Sequence, residues 1–258
     1  LAEKSRELTW LRIYCQAADV GIDRNMHHLA IMARGSYVWQ LGDDDLIESG
    51  ILEALLRELT ADPLDLLILQ GRFTTPAGAH LGDYLPRRFL GLRFTEAKTA
   101  FSHLWDRMKY GSFIVSARML AGDWTRYYGT HHAYAGVVWD QLTAAQARGE
   151  PCRLGCGRRS MVRLREAPKS YSTYRCQVLF RDIPQWFVLL PAHLEPVRSR
   201  LLATWLRKQS SMRSLLRHRR SGQLSPATLP HLMAAFTPWQ RFKAGIIIKL
   251  LPGSAVKS

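Results

Sequence analysis

The sequence predicts an α/β fold, a mostly parallel sheet with helices packed on it, followed by a basic and mainly helical region. Three observations carry that prediction: apolar segments alternate between strand-like and helix-like periods, the strand-like runs are short, and the charge changes sign of balance near residue 150. The 258 residues are 47% hydrophobic and 10% aromatic, enough apolar side chain to build a core, which excludes a wholly disordered chain.

In chain order, "LTWLRIYCQ" is rich in β-formers and gives way at "ADVGIDRN", after which "DRNMHHLAIMARG" reads as a short helix ended by Gly35. "SYVWQLG" is a second strand. "LIESGILEALLREL" places Leu and Ile at helical spacing, and "DLLILQ" is too short to be anything but a buried strand. The order β-α-β-α-β calls for crossover connections and hence a parallel sheet. From Gly71 to Leu92, Thr, Pro, Gly and Arg predict a long loop. "TEAKTAFSHLWDRM" resumes as a helix, "GSFIVSARML" as a strand, and "WTRYYGTHHAYAGVVWDQLTAAQARG" as a loop entering a long helix that stops near Gly149.

The formal charge of +15 is not spread evenly. Residues 151–258 hold 20 Lys and Arg against 3 Asp and Glu, whereas residues 1–150 hold 16 against 18. Two units follow from that division: an α/β domain over 1–150 and a basic helical region over 151–258. Four cysteines and no leader-like N-terminal segment suggest a reducing, cytoplasmic setting. The apolar runs from Trp186 and Ala244 are far shorter than the roughly 20 residues a membrane-spanning helix needs. Cys152 and Cys156 have three residues between them, with Cys176 further on; this spacing suits thiols better than a structural zinc site.

The most informative stretch is "YVWQLGDDDLIESG", where Asp43, Asp44 and Asp45 follow an apolar strand. Open α/β sheets bind ligands at the carboxyl ends of their strands. Three adjacent carboxylates repel one another there, and a hard divalent cation, Mg²⁺ or Mn²⁺, would compensate them. The plainer alternative is a solvated turn in which one Asp caps a helix starting near Leu46.

The surroundings of the triplet resemble a known family. "GIDRNMHHLAIMARGSYVWQLGDDDLIESGILEALLREL" is similar to the middle of family 2 glycosyltransferases, inverting enzymes of the type-A (GT-A) nucleotide-sugar fold, and most of all to those of bacterial surface polysaccharides. The matching features, in order, are Gly21, the Arg24–Asn25 pair, "ARG" before an aromatic strand, the acidic cluster, and a helix containing Gly50. The resemblance runs more loosely to about residue 145 through "MKYGSFIVSARML" and "YYGTHHAY".

That resemblance implies a GT-A-like sheet and transfer of a sugar, with inversion, from a nucleotide-sugar donor to a glycan or lipid-linked acceptor in cell-envelope polysaccharide synthesis. It implies Asp45 as metal ligand, Asp44 on the sugar side, Asp43 as second ligand or ribose contact, and Arg24 and Asn25 beside the donor, Arg24 near its phosphates. The catalytic base would come from "GDWTRYYGTHHAY", with His131 or His132 preferred and Asp123 next. Two departures stand out: the family often has Asp where this chain has Gly42, and often an acidic pair where this chain has His131 and His132. A third is that the family's first strands, with a Pro-x-Tyr-Asn-like signature, would precede "LTWLRIYCQ"; the chain is expected to be N-terminally incomplete relative to that pattern.

In the basic region, "VRSRLLATWLRKQSSMRSLLRHRR" interleaves Arg207, Lys208, Arg217, Arg219 and Arg220 with Leu and Trp, the pattern of a cationic amphipathic helix. It predicts contact with an anionic membrane or acceptor and a peripheral position on the inner face of the cytoplasmic membrane, with "WQRFKAGIIIKLL" as a second anchor. Nucleic acid fits less well, since no nucleic-acid module is present and the acidic cluster would repel phosphates. The alternative function is a non-catalytic basic protein that binds membrane or nucleic acid, its α/β half degenerate.

Overall fold

A computed structural model describes residues 10–43, 45–165, 175–230 and 236–250. Its elements are α1 (Ile22–Met32), β1 (Tyr37–Trp39), β2 (Leu46–Ile47), α2 (Ile51–Ala61), β3 (Leu66–Thr74), β4 (His80–Asp83), β5 (Arg93–Phe94), α3 (Ala97–Leu104), β6 (Phe113–Ser116), α4 (Ala133–Ala147) and β7 (Leu154–Arg165). The basic region adds α5 (Ile183–Leu189), α6 (Val197–Gln209), α7 (Met212–Arg220) and α8 (Pro238–Leu250).

The chain is α/β, a central sheet with flanking helices, ordered β1-β6-β3-β7-β2, with β4 on β3 and β5 on β7. β1 and β3 both pair antiparallel with β6, so they run in the same direction, and β7 joins β3 in parallel along the longest ladder. The mostly parallel sheet expected from the alternating segments is not found: five of the six pairings among the described strands are antiparallel, and only β1, β3 and β7 share one direction. β6 and the short strands β2, β4 and β5 run against it.

β3 sits at the centre because its first six residues, Leu66 to Gly71, are all buried, a run without the polar alternation a half-exposed strand would need. α4 is the helical counterpart. Ten of its fifteen residues are buried, so it lies inside the molecule and packs against α1, α3 and α5. Gly136 permits that closeness: a Cβ there would come within 2.6 Å of the Tyr127 ring.

Several elements differ from the sequence expectation. Residues 10–16 form no strand, and Trp10, Ile13 and Tyr14 are 74%, 42% and 57% exposed; β-propensity makes no strand without a neighbouring edge to bond. The rest of that segment lies outside the described residues. α1 stops at Met32 with Ala33 as its C-cap, before Gly35. Leu46 and Ile47 do not open a helix but pair with Arg163 and Val162 of β7. α2 starts at Ile51, behind Gly50 in the left-handed region at φ 71°, so neither Asp43 nor Asp45 is its N-cap. The expected loop after Gly71 is largely a hairpin, in which β3 continues to Thr74 and β4 returns on it.

The charge boundary at Pro151 does not coincide with the edge of the sheet. β7 carries Arg158, Arg159, Arg163 and Arg165 yet buries Leu154–Gly157, Met161 and Val162 between β3 and β2. The helices beyond it gather a second small core from Cys176, Phe180, Leu215, Leu224, Phe236, Ala244 and Ile247. Cys152 and Cys156 belong to the main core instead, and burial pushes the Cys156 thiol up to about 12.

Candidate functional site

The acidic loop leaves the C-terminal end of β1. Because β6 is antiparallel to β1, the turn that leads into β6 meets that loop: the Gly111 N–H donates to the Gln40 carbonyl at 2.7 Å, and the Trp39 indole N–H donates to the Gly111 carbonyl at 3.0 Å. Asp45 fills the space over Gly111. A Cβ on Gly111 would lie 2.2 Å from an Asp45 carboxylate oxygen and 3.1 Å from Leu164, and Gly111 has φ 78°, so only glycine leaves room here. Asp45 is half-buried, Asp43 is exposed, and Asp44 lies outside the described residues.

Gln40 adds a buried polar group to this rim. It is 5% exposed, and neither atom of its side-chain amide has a hydrogen-bond partner. An unsatisfied buried amide costs roughly 1–3 kcal/mol, a cost a bound polar group would offset. No group of three or more His, Cys, Asp or Glu is arranged as a metal site among the described residues. One or two carboxylates suffice when substrate phosphates complete the shell, as is usual for Mg²⁺. Asp45, Asp43 and the Gln40 side-chain amide oxygen are the hard oxygen donors carried by this loop, the ligand type that Mg²⁺ and Mn²⁺ prefer.

The second part of the site is the start of α4. The turn before it and its first N–H point at Asp23 of α1, whose buried carboxylate accepts from Gly129 (2.9 Å), His131 (3.0 Å) and Ala133 (3.1 Å). A carboxylate from a distant helix thus caps α4, where the helix dipole also favours negative charge. One residue on, the Arg24 guanidinium lies 5.4 Å from the centre of the Tyr128 ring. His27 Nδ1 is 2.6 Å from the Tyr128 hydroxyl, and its ring stacks on Trp124 at 4.9 Å. Asn25 turns away, accepting from the Gln16 side-chain amide at 2.9 Å.

His131 and His132 diverge. His131 stands at φ 60°, in the left-handed region, with a side chain 26% exposed and Nδ1 2.8 Å from Asp182. His132 turns inward: Nδ1 is 3.1 Å from the Thr130 carbonyl, the ring packs near Tyr134 and Trp186, and burial lowers its pKa from the usual histidine value. Asp123 is exposed and holds its own turn, accepting from the Thr125 N–H at 2.9 Å and the Thr125 hydroxyl at 2.5 Å; those bonds lower its pKa. Of the three candidate bases, His131 alone combines a partly exposed ring with a buried carboxylate beside it.

The two parts are linked by aromatic rings. Tyr110, next to Gly111, packs on Tyr134 at 4.7 Å, and Tyr134 lies 6.2 Å from the His132 ring. Arg24, His131, His132 and Asp123 thus share one neighbourhood with Asp23 and Tyr128, joined through these tyrosines to the Asp45 loop. Asp23, Gln40 and Asp182 were not singled out from the sequence. Asp23 reads there as an ordinary helix-start carboxylate, and the contacts of the other two are long-range.

The predicted basic contacts are further away. Arg207, Lys208, Arg217 and Arg220 are exposed, and Arg213, Arg217 and Arg220 line a shallow hollow with Leu216. Arg219 is committed inward, donating to the Leu224 carbonyl at 3.0 Å and the Ile248 carbonyl at 3.2 Å, so it ties α7 to α8. It is not a free surface cation because those carbonyls need donors.

No family model matches the chain, and no curated protein matches it in sequence. Among solved structures it is similar to residues 1–349 of S. aureus TarS. In complex with UDP, TarS aligns at TM-score 0.53 and 12% identity over 96% of this chain and 74% of that one. In complex with UDP-GlcNAc it aligns at TM-score 0.50 and 10% identity, over 96% and 78%. The likeness is one of fold, a GT-A-like sheet with flanking helices.

Proposed function

We propose that the chain is a glycosyltransferase of family 2 type that transfers a sugar, with inversion, from a nucleotide-sugar donor to a glycan or lipid-linked acceptor in cell-envelope polysaccharide synthesis. The observation that carries this reading is that Asp45 packs over Gly111 at the C-terminal end of β1, next to the Tyr110–Tyr134 contact, while Arg24 stacks on Tyr128 and the His131 N–H binds Asp23 at the approach to α4. The fold shared with TarS, a protein captured with UDP-GlcNAc and with UDP, supports the choice of donor class.

In this reading Asp45, with Asp43 and the Gln40 side-chain amide oxygen, would hold Mn²⁺ or Mg²⁺, which when bound supplies Lewis-acid charge neutralisation at the donor diphosphate. Asp44 stays assigned to the sugar side. Arg24 supplies positive charge to the phosphates. Tyr128 fixes its guanidinium by a cation–π contact, and Asn25 supports the same helix start. His131 takes the proton from the acceptor hydroxyl. His132, turned inward and kept neutral by burial, and Asp123, held in its turn, remain the alternative bases.

The exposed cations Arg207, Lys208, Arg217 and Arg220 would meet an anionic lipid headgroup or a lipid-diphosphate acceptor at the inner membrane face. No helix among the described residues is long and apolar enough to cross a membrane. The test is release of UDP from UDP-GlcNAc, or of nucleoside diphosphate from a panel of other nucleotide sugars. It is run with Mn²⁺ and lipid-linked acceptors, and repeated with chelator. Release that needs the divalent cation is expected. Failure to bind or turn over any nucleotide sugar, with tight binding to lipid or oligonucleotide, would favour the non-catalytic alternative.

A further inference from the structure

The segment leading into α5 makes a π-helical turn at Val178–Asp182. Such turns insert one extra residue into a helix and redirect a side chain, and they recur at functional sites. Here the turn delivers Asp182 into the interior, where its side chain has no exposed surface. A carboxylate in such a place needs partners: one oxygen accepts from Arg181 Nε at 2.7 Å, and the other lies 2.8 Å from His131 Nδ1, an ion-pair distance without the alignment of a hydrogen bond. His131 in turn holds a left-handed backbone, a conformation that costs a non-glycine residue energy and is retained where surrounding contacts enforce it. Two unfavourable features, a buried charge and a strained backbone, meet at one contact between the α/β half and the basic half.

We propose that Asp182 is the positioning residue of a histidine–aspartate dyad: it holds His131 with its Nδ1 proton inward, so that Nε2 is the nitrogen presented to the acceptor. This rests on the transfer reading above and names how its base is set. In the step, the acceptor oxygen forms its bond to the anomeric carbon while its proton passes to Nε2. The anomeric carbon–oxygen bond to the diphosphate breaks, and that electron pair leaves with the nucleoside diphosphate. The imidazolium so formed faces the Asp182 carboxylate. The charged and titratable groups around His131 are Asp182 and Arg181 from the π-turn, Asp23 of α1 on its backbone N–H, and His132 beside it.

The experiment uses the full chain and two readouts. Nitrogen-15 NMR of the histidine rings should show the neutral His131 ring protonated at Nδ1, and Asp182→Asn should lose that tautomer. In steady-state transfer, Asp182→Asn should lower kcat by about 10²-fold or more with KM within about twofold, and Asp182→Glu should recover part of the loss. A His131 ring protonated at Nε2 in the unaltered chain overturns the dyad, and this holds even if Asp182→Asn fails to fold. Transfer by Asp182→Asn at the unaltered rate and pH profile also overturns it. An unaltered chain that shows the Nδ1 tautomer but transfers no sugar overturns the transfer reading and with it the catalytic role of His131. A lost dyad in an active enzyme overturns the Asp182 assignment alone.

Discussion

Burial shapes the histidines at the scale of single residues. His27, His132 and His218 all have pKa values lowered from the usual 6.5, in each case chiefly by desolvation. A histidine whose folded pKa lies below its unfolded one binds fewer protons when folded. Its contribution to stability is therefore present above 6.5 and lost as pH falls below it. Urea unfolding should show stability decreasing from pH 7 to pH 5, and His132→Gln should flatten that decrease; a flat profile in the unaltered chain would contradict the assignment. The sequence pointed to His131 and His132 but could not separate them. What separates them is Asp182 and the Thr130 carbonyl: the first is remote in sequence and the second is set by the turn before α4. Asp23 was illegible for the same reason, since its role as cap to α4 depends on packing between segments more than a hundred residues apart.

Elements were legible where their period was long and undivided. α4, α3 and the central part of β3 follow from apolar spacing alone, because burial decided them and burial is what apolar patterns record. Leu46–Ile47 and residues 10–16 were misread because strand or helix there depends on whether an edge is available to pair. α8 is the element whose outer face calls for a partner. Ala244 and Ile247 face the small core, while Trp239, Phe242 and Leu250 are 63%, 57% and 73% exposed, and the Lys243 ammonium lies 5.5 Å from the Trp239 ring centre. Aromatic and aliphatic groups beside cations suit the headgroup zone of an anionic bilayer. The chain should co-sediment with phosphatidylglycerol vesicles and not with phosphatidylcholine vesicles. The double change Trp239→Ser, Phe242→Ser should weaken that binding by at least about tenfold, as loss of roughly 1.5–3 kcal/mol per buried ring implies. Equal binding by the variant would remove α8 from the membrane contact.

For the whole molecule, the charge asymmetry was the clearest signal in the sequence, yet it does not mark the limit of the sheet. β7 lies past the change in charge and forms the longest ladder with β3, because a strand buried on one side of its length can still carry arginines along the rest. The fold class was legible because alternation of strand and helix constrains topology strongly. The packing of Asp45 over Gly111 was not, since it depends on β6 entering beside β1.

The central claim is that Asp45 faces a donor diphosphate through a divalent cation. Calorimetry of UDP binding to the full chain, with and without Mn²⁺, tests it most directly when the Asp45→Ala variant is compared. The account predicts Mn²⁺-dependent binding that Asp45→Ala weakens at least about a hundredfold while leaving the melting temperature near that of the unaltered chain. Binding by Asp45→Ala with unchanged affinity and unchanged Mn²⁺ dependence would contradict it.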